Sequence, residues 1–170
     1  VWERGAIGYS EVIGGANPFN GIDVGSSAAP VLANVVGDEA LDLVVGAEDG
    51  SVRVWQSALV GFTEVIGGSN PFSGVNTGNR STPAFIDLDG DGRLDLVLGS
   101  LDGTLQGWRR NIDGSYTVMA GAYNTMDGIF VNLDNPFAGL DVGFNSTPTV
   151  IDLNDDGRPE IIVGNNEGRL

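Results

Sequence analysis

The chain contains no cysteine and no histidine. The first absence rules out disulfides and thiolate metal sites, and the second removes the commonest general base. Positive charge is scarce as well: 8 Lys+Arg face 23 Asp+Glu across 170 residues, for a formal charge of −15 and a pI near 4.1. Binding of nucleic acid or an anionic membrane through a basic face is therefore excluded. No apolar run reaches the ~18 residues of a spanning helix, so membrane insertion is not expected. The chain opens Val1-Trp2-Glu3-Arg4 with neither an initiator methionine nor a charged-then-apolar leader, which reads as a processed product or an excerpt.

Glycine, by contrast, is abundant. Its 27 copies are spread along the chain at turn positions, well above the ~7% average usage, and suggest many short strands. Three segments align. Asn17-Pro18-Phe19, Asn70-Pro71-Phe72 and Asn135-Pro136-Phe137 each precede a proline-started strand at Pro30, Pro83 or Pro148. The prolines of the tripeptides lie 53 (71 − 18) and 65 (136 − 71) residues apart. The 12-residue excess is an insertion between Trp108 and Asn135, placed at Tyr123 to Asp134, whose Ile129, Phe130 and Val131 suit a contact role. Fixed placement in every unit makes Asn-Pro-Phe a structural turn rather than an endocytic-adaptor ligand.

Within a unit, Pro83 to Leu88 and Leu94 to Gly99 read as strands around an acidic loop. Asp102-Gly103 supplies a hairpin turn, Thr104 to Trp108 a third strand, and Phe62 to Ile66 (with Tyr9 to Ile13) a fourth. Nothing carries a sustained helical apolar period. Four antiparallel strands in ~50 residues predict an all-β fold of β-propeller blades, with repeats at about 17–69, 70–134, and 135–170 completed by 1–16, in one domain spanning 1–170. Val1-Trp2 matches Val54-Trp55, so the N-terminal segment supplies the half-unit that the C-terminal segment lacks, short by about one residue. Three blades fall below the usual 4–8 of a closed ring. An excerpt of a longer propeller, two copies completing six blades and an open head-to-tail array all satisfy this pattern; self-association or continuation in a longer chain is expected.

The acidic loops carry the chemistry. Asp87-Leu-Asp89-Gly-Asp91-Gly92-Arg93-Leu-Asp95 and Asp152-Leu-Asn154-Asp-Asp156-Gly157-Arg158-Pro-Glu160 both place oxygen side chains at positions 1, 3, 5 and 9, with glycine at 6. That spacing wraps a tight turn around a hard cation, and calcium is the expected one. An EF-hand would want flanking helices and an acid at position 12, where Leu98 and Val163 stand.

With these residues, the chain resembles the FG-GAP/VCBS repeat family, which includes the calcium-binding propeller of integrin α-subunits and many bacterial surface proteins. The resemblance implies one Ca²⁺ held in the loop joining the first two strands of a blade. Its ligands would be Asp87, Asp89, Asp91, the Arg93 carbonyl and Asp95 in the second unit. Asp152, Asn154, Asp156, the Arg158 carbonyl and Glu160 would serve in the third. The first unit keeps only Asn34, Asp38 and Asp42, with Val36 at position 3, and is expected to be weak or empty.

No catalytic set stands out; a paired-carboxylate glycosidase is the only enzymatic reading the composition leaves. The repeated Trp2, Trp55 and Trp108 suit packing between blades or, alternatively, sugar stacking. Asn79-Arg-Ser81 and Asn145-Ser-Thr147 are glycosylation sequons. The leading expectation is a calcium-binding, secreted or cell-surface module for adhesion, recognition or assembly, with a protein or carbohydrate ligand. A structural subunit of an extracellular fibre or sheath and a non-catalytic propeller attached to an enzyme are the alternatives.

Overall fold

The computed structural model describes residues 1–120 and 135–170, so the expected insertion at 123–134 lies outside the described residues. The described residues form strands β1 (Trp2–Gly5), β2 (Gly8–Glu11), β3 (Ala29–Ala33), β4 (Asp42–Gly46), β5 (Val52–Ser57) and β6 (Phe62–Val65). They continue as β7 (Thr82–Ile86), β8 (Asp95–Gly99), β9 (Leu105–Arg110), β10 (Tyr116–Val118), β11 (Thr147–Ile151) and β12 (Glu160–Gly164). Two three-residue 3-10 turns, Gly14–Ala16 and Gly67–Ser69, are the only helical pieces among the described residues.

All pairing is antiparallel and follows chain order. Two four-stranded sheets, β3-β4-β5-β6 and β7-β8-β9-β10, are accompanied by two two-stranded ones, β1-β2 and β11-β12. The registers repeat: Ala29 pairs with Gly46, Thr82 with Gly99, and Thr147 with Gly164. Likewise Trp55 faces Glu64 and Trp2 faces Glu11. By register, then, β11-β12 is the first half of a four-stranded unit and β1-β2 the second half.

Strand β10 is the fourth strand expected of the second unit, at residues the sequence reading had not placed. Its turn, closed by Asn111 N–H to the Ser115 carbonyl, is one residue longer than the Ala58–Gly61 turn of the first sheet. One of the twelve extra residues therefore belongs here, ahead of residues 123–134.

The central strands β4 and β8 are buried along their whole length, because each is covered on both faces. Between the two complete sheets, Val44 and Val54 meet Leu96, Leu98 and Trp108 around Phe72, which is 1% exposed. Phe137 repeats the arrangement against Val97 and Leu105, with Ile161 and Val163 beside it. Each Asn-Pro-Phe segment is a local turn: the Asn17, Asn70 and Asn135 amide oxygens accept from Phe19, Phe72 and Phe137 N–H at 3.0, 2.9 and 3.0 Å. The turn aims the phenylalanine into the space between sheets. Trp55 and Trp108, 5% and 6% exposed, pack as core residues, whereas Trp2 is 65% exposed.

Neighbouring units approach through backbone. A Cβ on Gly46 would lie 2.1 Å from the Ser81 carbonyl oxygen, and one on Gly99 2.2 Å from that of Ser146. The hydroxyls of those serines then fasten the junction. Ser81 Oγ accepts from Ala47 N–H and donates to the Ser51 carbonyl, and Ser146 Oγ accepts from Ser100 N–H. Replacing Gly99 by Ala pushes the second and third units apart and should cost about 1–3 kcal/mol, the usual scale of overpacking, in urea unfolding. Unchanged stability would show that the approach is not tight.

Candidate metal centre

The second-unit loop links β7 to β8 and folds around its own carboxylates. Glycines 90 and 92 sit at φ +77° and +82°, which lets the chain double back without a Cβ penalty. Asp87 accepts through Oδ1 from Gly90 N–H (2.7 Å) and Asp91 N–H (3.1 Å), and through Oδ2 from Gly92 N–H (2.8 Å). Asp95, fully buried, accepts from Leu88 N–H at 3.0 Å and from Arg110 N–H at 2.7 Å. Its carboxylate ties the loop to the third strand of the sheet.

Ligand oxygens of Asp87, Asp89 and Asp95 lie within 4.8 Å of one another. Asp91 is not part of this cluster; it is held by the Arg93 guanidinium. Three of the four expected carboxylates thus converge. Arg109, which sequence reasoning missed, places Nε 3.0 Å from Asp89 Oδ2, a charge contact without hydrogen-bond alignment. Burial pushes the Asp95 carboxyl above the usual aspartate range; N–H groups of Arg110 and Leu88 oppose this, and the charges of Asp89 and Asp91 add to it. Asp87 moves the other way: burial raises it, but the N–H groups of Gly92, Gly90, Asp91 and Asp89 together hold it below the ordinary value. The donor set is all oxygen, converging and of like charge, which fits a hard cation such as calcium.

The third-unit loop has the same backbone form. Asp155 and Gly157 occupy the left-handed region at φ +58° and +81°. Asp152 accepts from Asp156 N–H (3.2 Å) and Gly157 N–H (2.8 Å), while Asp156 accepts from Arg158 N–H at 2.8 Å. Glu160 accepts from Leu153 N–H at 2.8 Å through one oxygen. The other has only the Asn154 amide, at 3.4 Å, where Asp95 has a strand N–H. Among the described residues, no acid group is as tight as that of the second unit.

The first loop keeps the fold of its relatives with different chemistry. Gly37 and Glu39 take the two left-handed positions at φ +89° and +65°. Asp42 accepts from Val35 and Val36 N–H at 3.0 and 2.9 Å, but its Oδ1 is buried without a partner. Asp38 Oδ2 accepts from Gln56 Nε2 at 2.7 Å, and this hydrogen bond leads the causes that lower its carboxyl. Asn34 Oδ1 accepts from Gly37 N–H at 3.2 Å. Gln56 and Arg109 hold equivalent places one residue after Trp55 and Trp108, a repeat-level signal that was readable in the sequence.

The sequons differ in setting. Asn79 is exposed, whereas the Asn145 amide oxygen accepts from Arg80 Nη1 at 2.6 Å.

The loops also mark the repeat boundaries found by comparison with known proteins. The FG-GAP-like repeat family matches residues 34–98 and 87–163, each stretch beginning at position 1 of an acidic loop and ending in the strand after the next. The chain belongs to the FG-GAP-like repeat family. No curated protein and no solved structure matches it.

Two substitutions separate the fastening role of these carboxylates from any ion. In chelator, Asp95→Ala in this FG-GAP-like chain leaves two partly buried N–H groups without an acceptor and should cost about 1–3 kcal/mol for each. Asp89→Ala, at the rim, should stay within about 0.5 kcal/mol in the same buffer. Urea unfolding of both variants distinguishes them; equal losses would show that Asp95 fastens the loop no more than Asp89 does.

Proposed function

We propose that the chain is a calcium-stabilised β-propeller segment, secreted or displayed on a cell surface, that serves in recognition, adhesion or extracellular assembly. The observation that carries this reading is the convergence of Asp87, Asp89 and Asp95 on a loop already shaped by its own backbone. FG-GAP repeats often bind Ca²⁺, are commonly extracellular and are typically non-catalytic, which supports the same direction. In this reading Asp87, Asp89, Asp95 and the Arg93 carbonyl hold one ion, joined by Asp91 once it exchanges Arg93 for the cation. Asp152, Asn154, Asp156, the Arg158 carbonyl and Glu160 hold a second. The first loop stays empty, because Val36 offers no oxygen and Gln56 occupies Asp38. The exposed loops between strands are the surface left for a protein or carbohydrate ligand.

Calcium should bind with an affinity of roughly 10⁻⁴–10⁻³ M, the range of extracellular modules. At 100 times the dissociation constant, each occupied site adds ~2.7 kcal/mol. For a chain of this size that raises Tm by roughly 5–10 °C per site. Titration calorimetry and thermal melts with and without EDTA test this, and Asp89→Ala should lose the second-unit ion. Identical melts in calcium and EDTA would overturn the reading.

A further inference from the structure

We infer that Arg93 and Arg109 are tethered counter-ions of the second-unit loop: their guanidinium groups compete with a divalent cation for Asp91 and Asp89, and so raise the calcium concentration at which this loop fills. The inference rests on the calcium reading above and names the residues that set its threshold.

The four acids of the loop are held in two different ways. Among the described residues, Asp87 and Asp95 accept from backbone N–H groups alone, at 2.7 to 3.1 Å. Such donors belong to the chain trace and neutralise no charge. Asp89 and Asp91 each accept one backbone N–H as well, but each also carries a guanidinium. Arg93 holds Asp91, and Arg109 Nε stands 3.0 Å from Asp89 Oδ2. A hard cation draws its affinity from the number of charged oxygens it gathers, so a carboxylate already neutralised is worth less to it.

Both arginines hang from the same strand. Arg109 lies on β9, and Arg93 Nε donates to the carbonyl of Arg110, the last residue of β9, at 3.2 Å. An ion that takes the two carboxylates therefore keeps both positive charges as neighbours. Orientation of Asp89 is the other role open to Arg109, and the geometry speaks against it. Its Nε is buried without an aligned hydrogen bond, so its hold on Asp89 is charge and not direction.

The first unit supplies the comparison. Val36 stands at the Asp89 position, and there Ala40 and Gln56 replace Arg93 and Arg109. Gln56 donates to Asp38 at 2.7 Å and brings no charge. The guanidinium groups are present where both rim acids are, and absent where position 3 is apolar. The four side chains are 24–43% exposed, so water and salt moderate the competition without removing it.

The test is calorimetric calcium titration of the intact chain and of Arg93→Gln and Arg109→Gln, with thermal melts in calcium and in EDTA. Each Gln variant should bind calcium at the second-unit loop roughly 3- to 10-fold more tightly, the scale of one partly screened charge. In EDTA each should melt no higher than the unchanged chain, so the rise in Tm on adding calcium grows. Arg109→Lys keeps the charge and should stay within about 2-fold of the unchanged affinity. The gain should shrink in 1 M potassium chloride and vanish in an Asp89→Ala background. Calcium binding that is unchanged or weaker in both Gln variants overturns the inference and leaves the calcium reading standing, as does a gain that survives Asp89→Ala. Absence of calcium binding in the unchanged chain and in every variant sinks both.

Discussion

The architecture depends on the carboxylate at the ninth position of each acidic loop, buried in Asp42 and Asp95 and half-buried in Glu160. Asp95 accepts from the loop at Leu88 and from the third strand at Arg110, so one side chain fixes how the first two strands enter the sheet. A carboxylate in that place costs desolvation, and only its hydrogen bonds offset it. Asp42 keeps the loop half of the arrangement and leaves an oxygen orphaned; Glu160 keeps a longer version of it. The acids at the rim, which would hold the proposed ion, are built on this foundation. They repel one another, so a cation is stabilising where the anchoring aspartate has already set the geometry.

Sheet stacking follows from a second constraint. Because Gly46 and Gly99 have no Cβ, the following unit's backbone can come within contact of them, and the Ser81 and Ser146 hydroxyls occupy the remaining polar groups. Aromatic residues on Asn-Pro-Phe turns fill what is left, with the Phe72 ring tilted against those of Tyr116 and Phe85 at 4.9 and 6.0 Å. In the first unit Ala28 stands where these serines do and offers no hydroxyl.

Much of this was legible from periodicity. Strand order, the hairpin at Asp102-Gly103, the turn role of Asn-Pro-Phe and the clustering of Asp87, Asp89 and Asp95 all follow from residue type at fixed spacing. What escaped was contributed by neighbours distant in sequence. Strand β10 is three residues long and has little apolar signal of its own; it forms because the Tyr116 hydroxyl donates to the Leu94 carbonyl and the ring packs on Phe72. The diversion of Asp91 to Arg93 arises because a guanidinium two residues away competes for the same carboxylate. The equivalent places of Gln56 and Arg109 were readable, but their contacts were not: the partners lie in loops 18 and 20 residues earlier, and only the folded sheet brings them there.

Three tryptophans at one repeated position, two shielded and one open to water, give the molecule a built-in optical gauge. Indole emission from Trp55 and Trp108 is protected from dissolved quenchers by the sheets around them. Trp2 alone is reachable, so iodide sensitivity and red-shifted fluorescence report whether anything has settled over the first strand.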